Sequence, residues 1–160
     1  MSEFSHLDEG GRLRMVDVSQ KPATDRYARA RAEVHVGPAV LQKLASGEVA
    51  KGDVLTVARV AGVQAGKRTS ELIPLCHGLS PDWVDVQCEL VAPDCVRIEA
   101  AARITARTGV EMEAMVAAST AALTVYDMCK ALDKGIEVRF VRLEEKSGGK
   151  SGKWTRDGNS

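Results

Sequence analysis

Ala28-Arg29-Ala30-Arg31-Ala32-Glu33-Val34-His35-Val36 alternates strictly between small apolar residues and charged or polar ones. A period of two places Ala28, Ala30, Ala32, Val34 and Val36 on one side of a strand and Arg29, Arg31, Glu33 and His35 on the other. One side is core and the other is charged. Two later stretches repeat the pattern: Val84, Val86, Cys88 and Leu90 against Asp85, Gln87 and Glu89, then Val96, Ile98, Ala100, Ala102 and Ile104 against Arg97, Glu99, Arg103 and Thr105. Pro93-Asp94 between them predicts an antiparallel hairpin.

The segments between these strands read as helices. Gly37-Pro38 opens a short one through Ala45, with Gly47 as its stop. Asp53 is the expected N-cap of a second, Val54 to Ser70, in which Leu55, Ala58, Val63 and Ala65 supply apolar contacts before Pro74 ends it. Val110 to Lys134 reads as a long helix with Gly135 beyond its end. Its stretch from Ala114 to Tyr126 carries no charge, which predicts burial on nearly all sides. Ile136 to Leu143 is a last strand. The order strand, helix, helix, strand, strand, helix, strand predicts an α+β fold: a ferredoxin-like, mostly antiparallel sheet with helices packed on one face. Residues 1–14 are expected to be disordered and 15–145 to form a single domain. Residues 146–160, rich in Gly, Ser and Lys, are expected to be a flexible tail unless a ligand orders them.

At 160 residues the chain is long enough to bury one core without disulfides or a structural metal. Lys plus Arg and Asp plus Glu both total 22, so no global basic field draws it to nucleic acid or an anionic membrane. Met1-Ser2-Glu3-Phe4-Ser5-His6 lacks the basic, apolar start of a secretory signal, and the longest uncharged run is too short to span a bilayer. A cytoplasmic protein is the expectation. Cys76, Cys88, Cys95 and Cys129 form no C-x-x-C pair and read as reduced thiols, Cys88 and Cys129 as small buried hydrophobes.

Four groups of residues could carry chemistry. Asp127 ends the uncharged run and Lys130 follows at i, i+3, so their heads can meet on one helix face. Such a pair can act as general acid and base, although a structural ion pair is the commoner use of this spacing. Ile73-Pro74-Leu75-Cys76-His77 is a rigid turn presenting a thiol and an imidazole. Side chains of neighbours diverge in an extended stretch, so His77 is a ligand contact or proton carrier, or equally a half-buried loop histidine. Glu111 and Glu113 open the long helix, where carboxylates balance the helix dipole or accept from a guanine-like N–H. Lys51, Lys67, Lys130, Lys134, Lys146 and Lys150 lie near element ends, where solvated lysines are usual and phosphate contacts are the alternative. Lys146-Ser147-Gly148-Gly149-Lys150-Ser151 is not a Walker loop, because Glu144 stands where its first glycine belongs; a flexible Gly-Lys segment can still close on phosphates.

Long blocks, in order, resemble the MoaC family. They are Met15-Val16-Asp17-Val18-Ser19 with Lys21 and Thr24-Asp25-Arg26; Lys51-Gly52-Asp53 through Lys67-Arg68-Thr69 to Ile73-Pro74-Leu75-Cys76-His77; and Thr108-Gly109-Val110-Glu111-Met112-Glu113 through Tyr126-Asp127-Met128-Cys129-Lys130-Ala131. Lys146 to Gly152 matches as well. The resemblance implies a lyase of molybdenum cofactor biosynthesis with cyclic pyranopterin monophosphate synthase activity. Its implied substrate is a GTP-derived, cyclised dihydro-GTP made by a radical-SAM GTP cyclase, and the product forms with loss of pyrophosphate. It also implies a homo-hexamer, a trimer of dimers, with active sites at subunit interfaces. Carried onto this chain, Asp127, Lys51 and Lys130 are catalytic, and Leu75, Cys76, His77, Met112 and Glu113 bind substrate. Arg26, Lys67 and Lys146 meet its phosphates, and part of the tail is an active-site loop. Gly78 replaces the proline common after the Cys-His pair. No cofactor is implied; a divalent ion with the phosphates stays open, although no carboxylate cluster at metal-ligand spacing appears.

Two other readings compete. An RNA-binding or regulatory module shares this fold class, but two Phe, two Tyr and two Trp give no stacking platform. An inactive assembly partner is disfavoured by the presence of Lys51, Lys67, His77, Asp127 and Lys130.

Overall fold

The structure is a computed structural model and describes residues 10–156. Most of the N-terminal stretch expected to be disordered, residues 1–9, and the chain end, 157–160, lie outside the described residues. In chain order the elements are β1 Thr24–His35, α1 Pro38–Ser46, α2 Val54–Gly66, α3 Thr69–Leu72, β2 Trp83–Val91, β3 Cys95–Ala106, α4 Glu111–Cys129, β4 Glu137–Ser147 and β5 Trp154–Thr155. The strands form one sheet in the order β2-β3-β1-β4-β5, antiparallel at every step. β1 and β2 thus run parallel with β3 between them, as do β3 and β4 with β1 between. Each parallel pair is joined through helices, which makes two interleaved split β-α-β units.

Register explains why the alternating stretches pair. Ala28 faces Ala102, Ala30 faces Ala100, Ala32 faces Ile98 and Val34 faces Val96, so every apolar position of β1 meets one of β3. A one-residue slip would turn both apolar rows out of the core. All eight side chains are buried beneath α4, which crosses β1, β3 and β4, while α2 packs beside α4 and against β2. The other face of the sheet is an ionic lattice. Glu99 accepts from Arg31 at 3.0 Å and Arg29 at 3.2 Å, and buried Glu144 accepts from Arg142 at 2.7 Å.

α2 differs from its sequence reading in length and in contacts. It ends at Gly66, and its buried row is Val54, Ala58, Gly62 and Gly66, with Leu55 and Val63 only partly covered. The cause is the closeness of α4: a Cβ on Gly62 would stand 2.8 Å from Ala117 O and 3.3 Å from the Ala121 Cβ. The two helices therefore meet through glycine and alanine rather than through large side chains.

α4 stops at Cys129, short of the predicted Lys134. Asp133 Oδ1 accepts the Gly135 N–H at 2.7 Å, a local bond that competes with a further helical turn. Burial on nearly all sides of the Ala114 to Tyr126 stretch is also too broad a description, since Leu123 reaches solvent.

Part of the Gly, Ser and Lys-rich tail pairs with the sheet. β4 continues to Ser147, and Trp154–Thr155 pairs back onto Glu145 and Lys146. Arg156 N–H donates to Glu144 O at 2.9 Å, and Arg156 Nε donates to Leu143 O at 2.9 Å. Main-chain pairing at a sheet edge needs little apolar content, and composition does not register it.

Candidate active site

At the N-terminal end of α4 lies a cavity of about 420 Å³. Glu111, Met112 and Glu113 enter it from the helix, and Leu75, Cys76 and His77 from the loop after α3. That loop exists because Ile73, which precedes Pro74, is extended at φ −110° and ψ 109° and cannot continue α3. Val16, Val18 and Lys21 close the far wall. His77 Nε2 lies 2.7 Å from Val16 O. A carbonyl only accepts, so Nε2 carries the proton and Nδ1 is left to exchange one. A side chain at Gly78 would meet nothing nearer than Ser70 Oγ at 3.9 Å, so the position has room for one.

Glu113 is only 3% exposed. Burial pushes its carboxyl above the ordinary 4.5, and the Glu111 charge adds to this; its own backbone N–H and His77 pull the other way. A raised carboxyl keeps its proton closer to neutrality and can then donate as well as accept. Cys76 is pushed up by burial and by Glu113, so it stays a thiol and not a nucleophilic thiolate.

A second group stands at the other end of α4. Lys130 Nζ donates to Asp127 Oδ1 at 2.6 Å. Lys51 Nζ donates to Asp127 O at 3.0 Å and lies 3.8 Å from Oδ2. The Lys130 hydrogen bond, and then the lysine charges, hold the Asp127 carboxyl below 3.8, and the same bond raises Lys130. Both are charged at neutral pH. Their side chains are open to solvent, at 60% for Asp127, 51% for Lys130 and 46% for Lys51.

Those two groups do not meet within one chain. Fourteen residues of helix separate Glu113 from Asp127, and at 1.5 Å per residue that is about 21 Å. The other predicted residues gather at the Glu113 end. Lys146 Nζ lies 3.0 Å from Glu111 Oε1. Lys67 caps α2 beside Gly66, which packs on Glu113 O. Arg26, near the start of β1, donates from Nε to Ala106 O at 3.4 Å. Sequence reasoning named neither Lys21 nor Val16 as a site residue. Lys21 stood inside a resembling block, whereas the Val16 carbonyl carries no side-chain signal at all.

Among the described residues no group of three or more His, Cys, Asp or Glu could hold a metal ion, and no helix is long and apolar enough to cross a membrane. A sequence model of the MoaC family matches residues 15–149. The chain is 54% identical over 158 residues to the cyclic pyranopterin monophosphate synthase of Thermomicrobium roseum, spanning 98% of this chain and 95% of that protein. It is 51% identical over 155 residues to the protein of the same name from Desulfitobacterium hafniense, spanning 97% and 95%. A third such protein, from Roseiflexus sp., is 54% identical over 158 residues, spanning 98% and 100%. Matched over nearly its whole length by both comparisons, the chain belongs to the MoaC family.

Proposed function

We propose that the chain is a lyase of molybdenum cofactor biosynthesis that converts a cyclised dihydro-GTP to cyclic pyranopterin monophosphate and releases pyrophosphate. The observation that carries this reading is identity above half, from end to end, with proteins named for that product. The chemistry suits the residues. Closing a cyclic monophosphate from a triphosphate requires a hydroxyl oxygen to attack phosphorus and lose its proton, while pyrophosphate leaves with the bonding electrons. Asp127, Lys51 and Lys130 supply the carboxylate and the ammonium groups for proton transfer and charge stabilisation. Leu75, Cys76, His77, Met112 and Glu113 hold the base and sugar, with Arg26, Lys67 and Lys146 on the phosphates.

The separation along α4 supports a shared site. Catalytic groups more than 40% exposed lack the dry wall that such chemistry needs, and the Glu113 cavity lacks Lys51 and Lys130. Two copies related by a two-fold axis can bring the Asp127 end of one helix to the Glu113 end of the other. This favours a dimeric unit, and the family resemblance extends the reading to a homo-hexamer, a trimer of dimers, working in the cytoplasm downstream of a radical-SAM GTP cyclase. The test is incubation with enzymatically prepared cyclised dihydro-GTP, following pyrophosphate release and pterin fluorescence. Turnover by the natural chain and its loss in Lys51→Ala are expected; no turnover by a folded, oligomeric protein overturns the reading.

A further inference from the structure

Residues 14–22 run along the Glu113 cavity without joining a helix or a strand. Val16 and Val18 are half-buried and line the cavity, while the residues around them are exposed. Further on, Lys21 and Pro22 border an adjoining cavity that Arg26, Arg107 and Lys150 also line, so the segment flanks both spaces. Two turns give it shape: the Ser19 N–H donates to Asp17 Oδ1 at 2.8 Å, and the Lys21 N–H donates to Val18 O at 3.0 Å. Both bonds are internal to the segment. Among the described residues one hydrogen bond ties it to the rest of the chain, from His77 Nε2 to Val16 O at 2.7 Å.

The facing wall is built differently. Glu111, Met112 and Glu113 belong to the first turn of α4, whose next residue, Ala114, is fully buried in the core. A segment anchored by two half-buried valines and one long-range hydrogen bond opens at a small fraction of the global unfolding free energy, and active-site lids are drawn from such pieces. Its seating also has a chemical consequence. With the Val16 carbonyl in place, the neutral imidazole of His77 must carry its proton on Nε2; with the segment lifted away, either ring nitrogen can carry it.

We propose that residues 14–22 form a strap that closes over the bound nucleotide, with the Val16 main-chain carbonyl as the positioning group that fixes which nitrogen of His77 holds the proton. One movement then excludes water from the cavity and sets the imidazole for proton transfer. The proposal rests on the nucleotide site proposed above, but the strap can be followed without turnover. Amide hydrogen exchange is measured by mass spectrometry on the purified oligomer of the natural chain, His77→Ala and His77→Gln, each with and without saturating GTP, the parent nucleotide of the proposed substrate. In the natural chain GTP is expected to slow exchange across residues 14–22. Without nucleotide, His77→Ala is expected to speed it roughly tenfold, the loss of about one hydrogen bond, while His77→Gln keeps most of the protection, because an amide N–H can donate to the same carbonyl. Peptides from the buried part of α4 should exchange alike in all three proteins. Equal strap exchange in the natural chain and His77→Ala overturns the proposal, as does glutamine behaving like alanine, faster exchange in α4 to match, or a strap indifferent to GTP. A strap that closes on GTP in a protein that does not turn over cyclised dihydro-GTP removes the synthase reading and leaves the strap standing. Normal turnover with a strap indifferent to GTP does the reverse.

Discussion

Glu113 and Asp127 are carboxylates of one helix pushed in opposite directions. Burial raises the first, and Lys130 with Lys51 lowers the second. The raised group binds its proton more tightly in the folded chain than in the unfolded one, so between 4.5 and its raised value the folded state carries more protons. Stability then falls as pH rises through that window. Glu113→Gln is expected to flatten the fall and to raise the unfolding midpoint at neutral pH, read from thermal melts across pH. An unchanged profile would mean that Glu113 does not titrate there. Asp127 has the opposite sign, with stability lost as pH falls through its lowered value, but at a largely exposed site the effect is small. Asp127→Asn is therefore expected to keep the melting temperature and lose turnover at saturating substrate, whereas a purely structural ion pair would leave turnover intact. Cys76, beside His77, is the residue most easily over-read from sequence. Its raised thiol leaves the neighbouring imidazole as the group able to exchange a proton.

At the scale of elements, α4 rests on the contact with α2. Glycine in a helix interior costs about 1 kcal/mol relative to alanine, so Gly62→Ala would stabilise an isolated α2. In the folded chain the added Cβ would stand 2.8 Å from Ala117 O and 3.0 Å from Val86 Cγ2, and a backbone oxygen moves only if α4 does. Overpacking of this kind costs about 1–3 kcal/mol, so a net loss of stability is expected from denaturant unfolding. A gain would show that the helices sit further apart. Apolar periodicity could not find this contact, because the residues that make it carry almost no side chain. The hairpin of β4 and β5 escaped for a related reason: its Gly, Ser and Lys content says nothing about main-chain pairing.

For the whole molecule, the length of α4 sets the functional unit. If sites form between copies, Lys51→Ala and His77→Ala remove different halves of each site, and neither variant alone turns over. Co-refolded in equal amounts, they pair two intact halves at roughly a quarter of the sites when mixing is random across a two-fold interface. Recovery of turnover in the mixture is expected, and its absence in a verified mixed oligomer would place each site within one chain. What the sequence by itself determined is the alternating faces of β1, β2 and β3, the hairpin that joins β2 to β3, the helix starts at Pro38 and Val54, and the residue blocks that resemble the MoaC family. All of these follow from neighbours in the chain: a period of two, a proline, a capping aspartate, an unbroken run of identities. Tertiary structure alone decided that Gly62 and not Leu55 seats α2, and that Lys21, Arg26, Arg107 and Lys150 share one cavity. Those are distances between residues far apart in sequence, and local pattern carries no measure of them until the chain has folded.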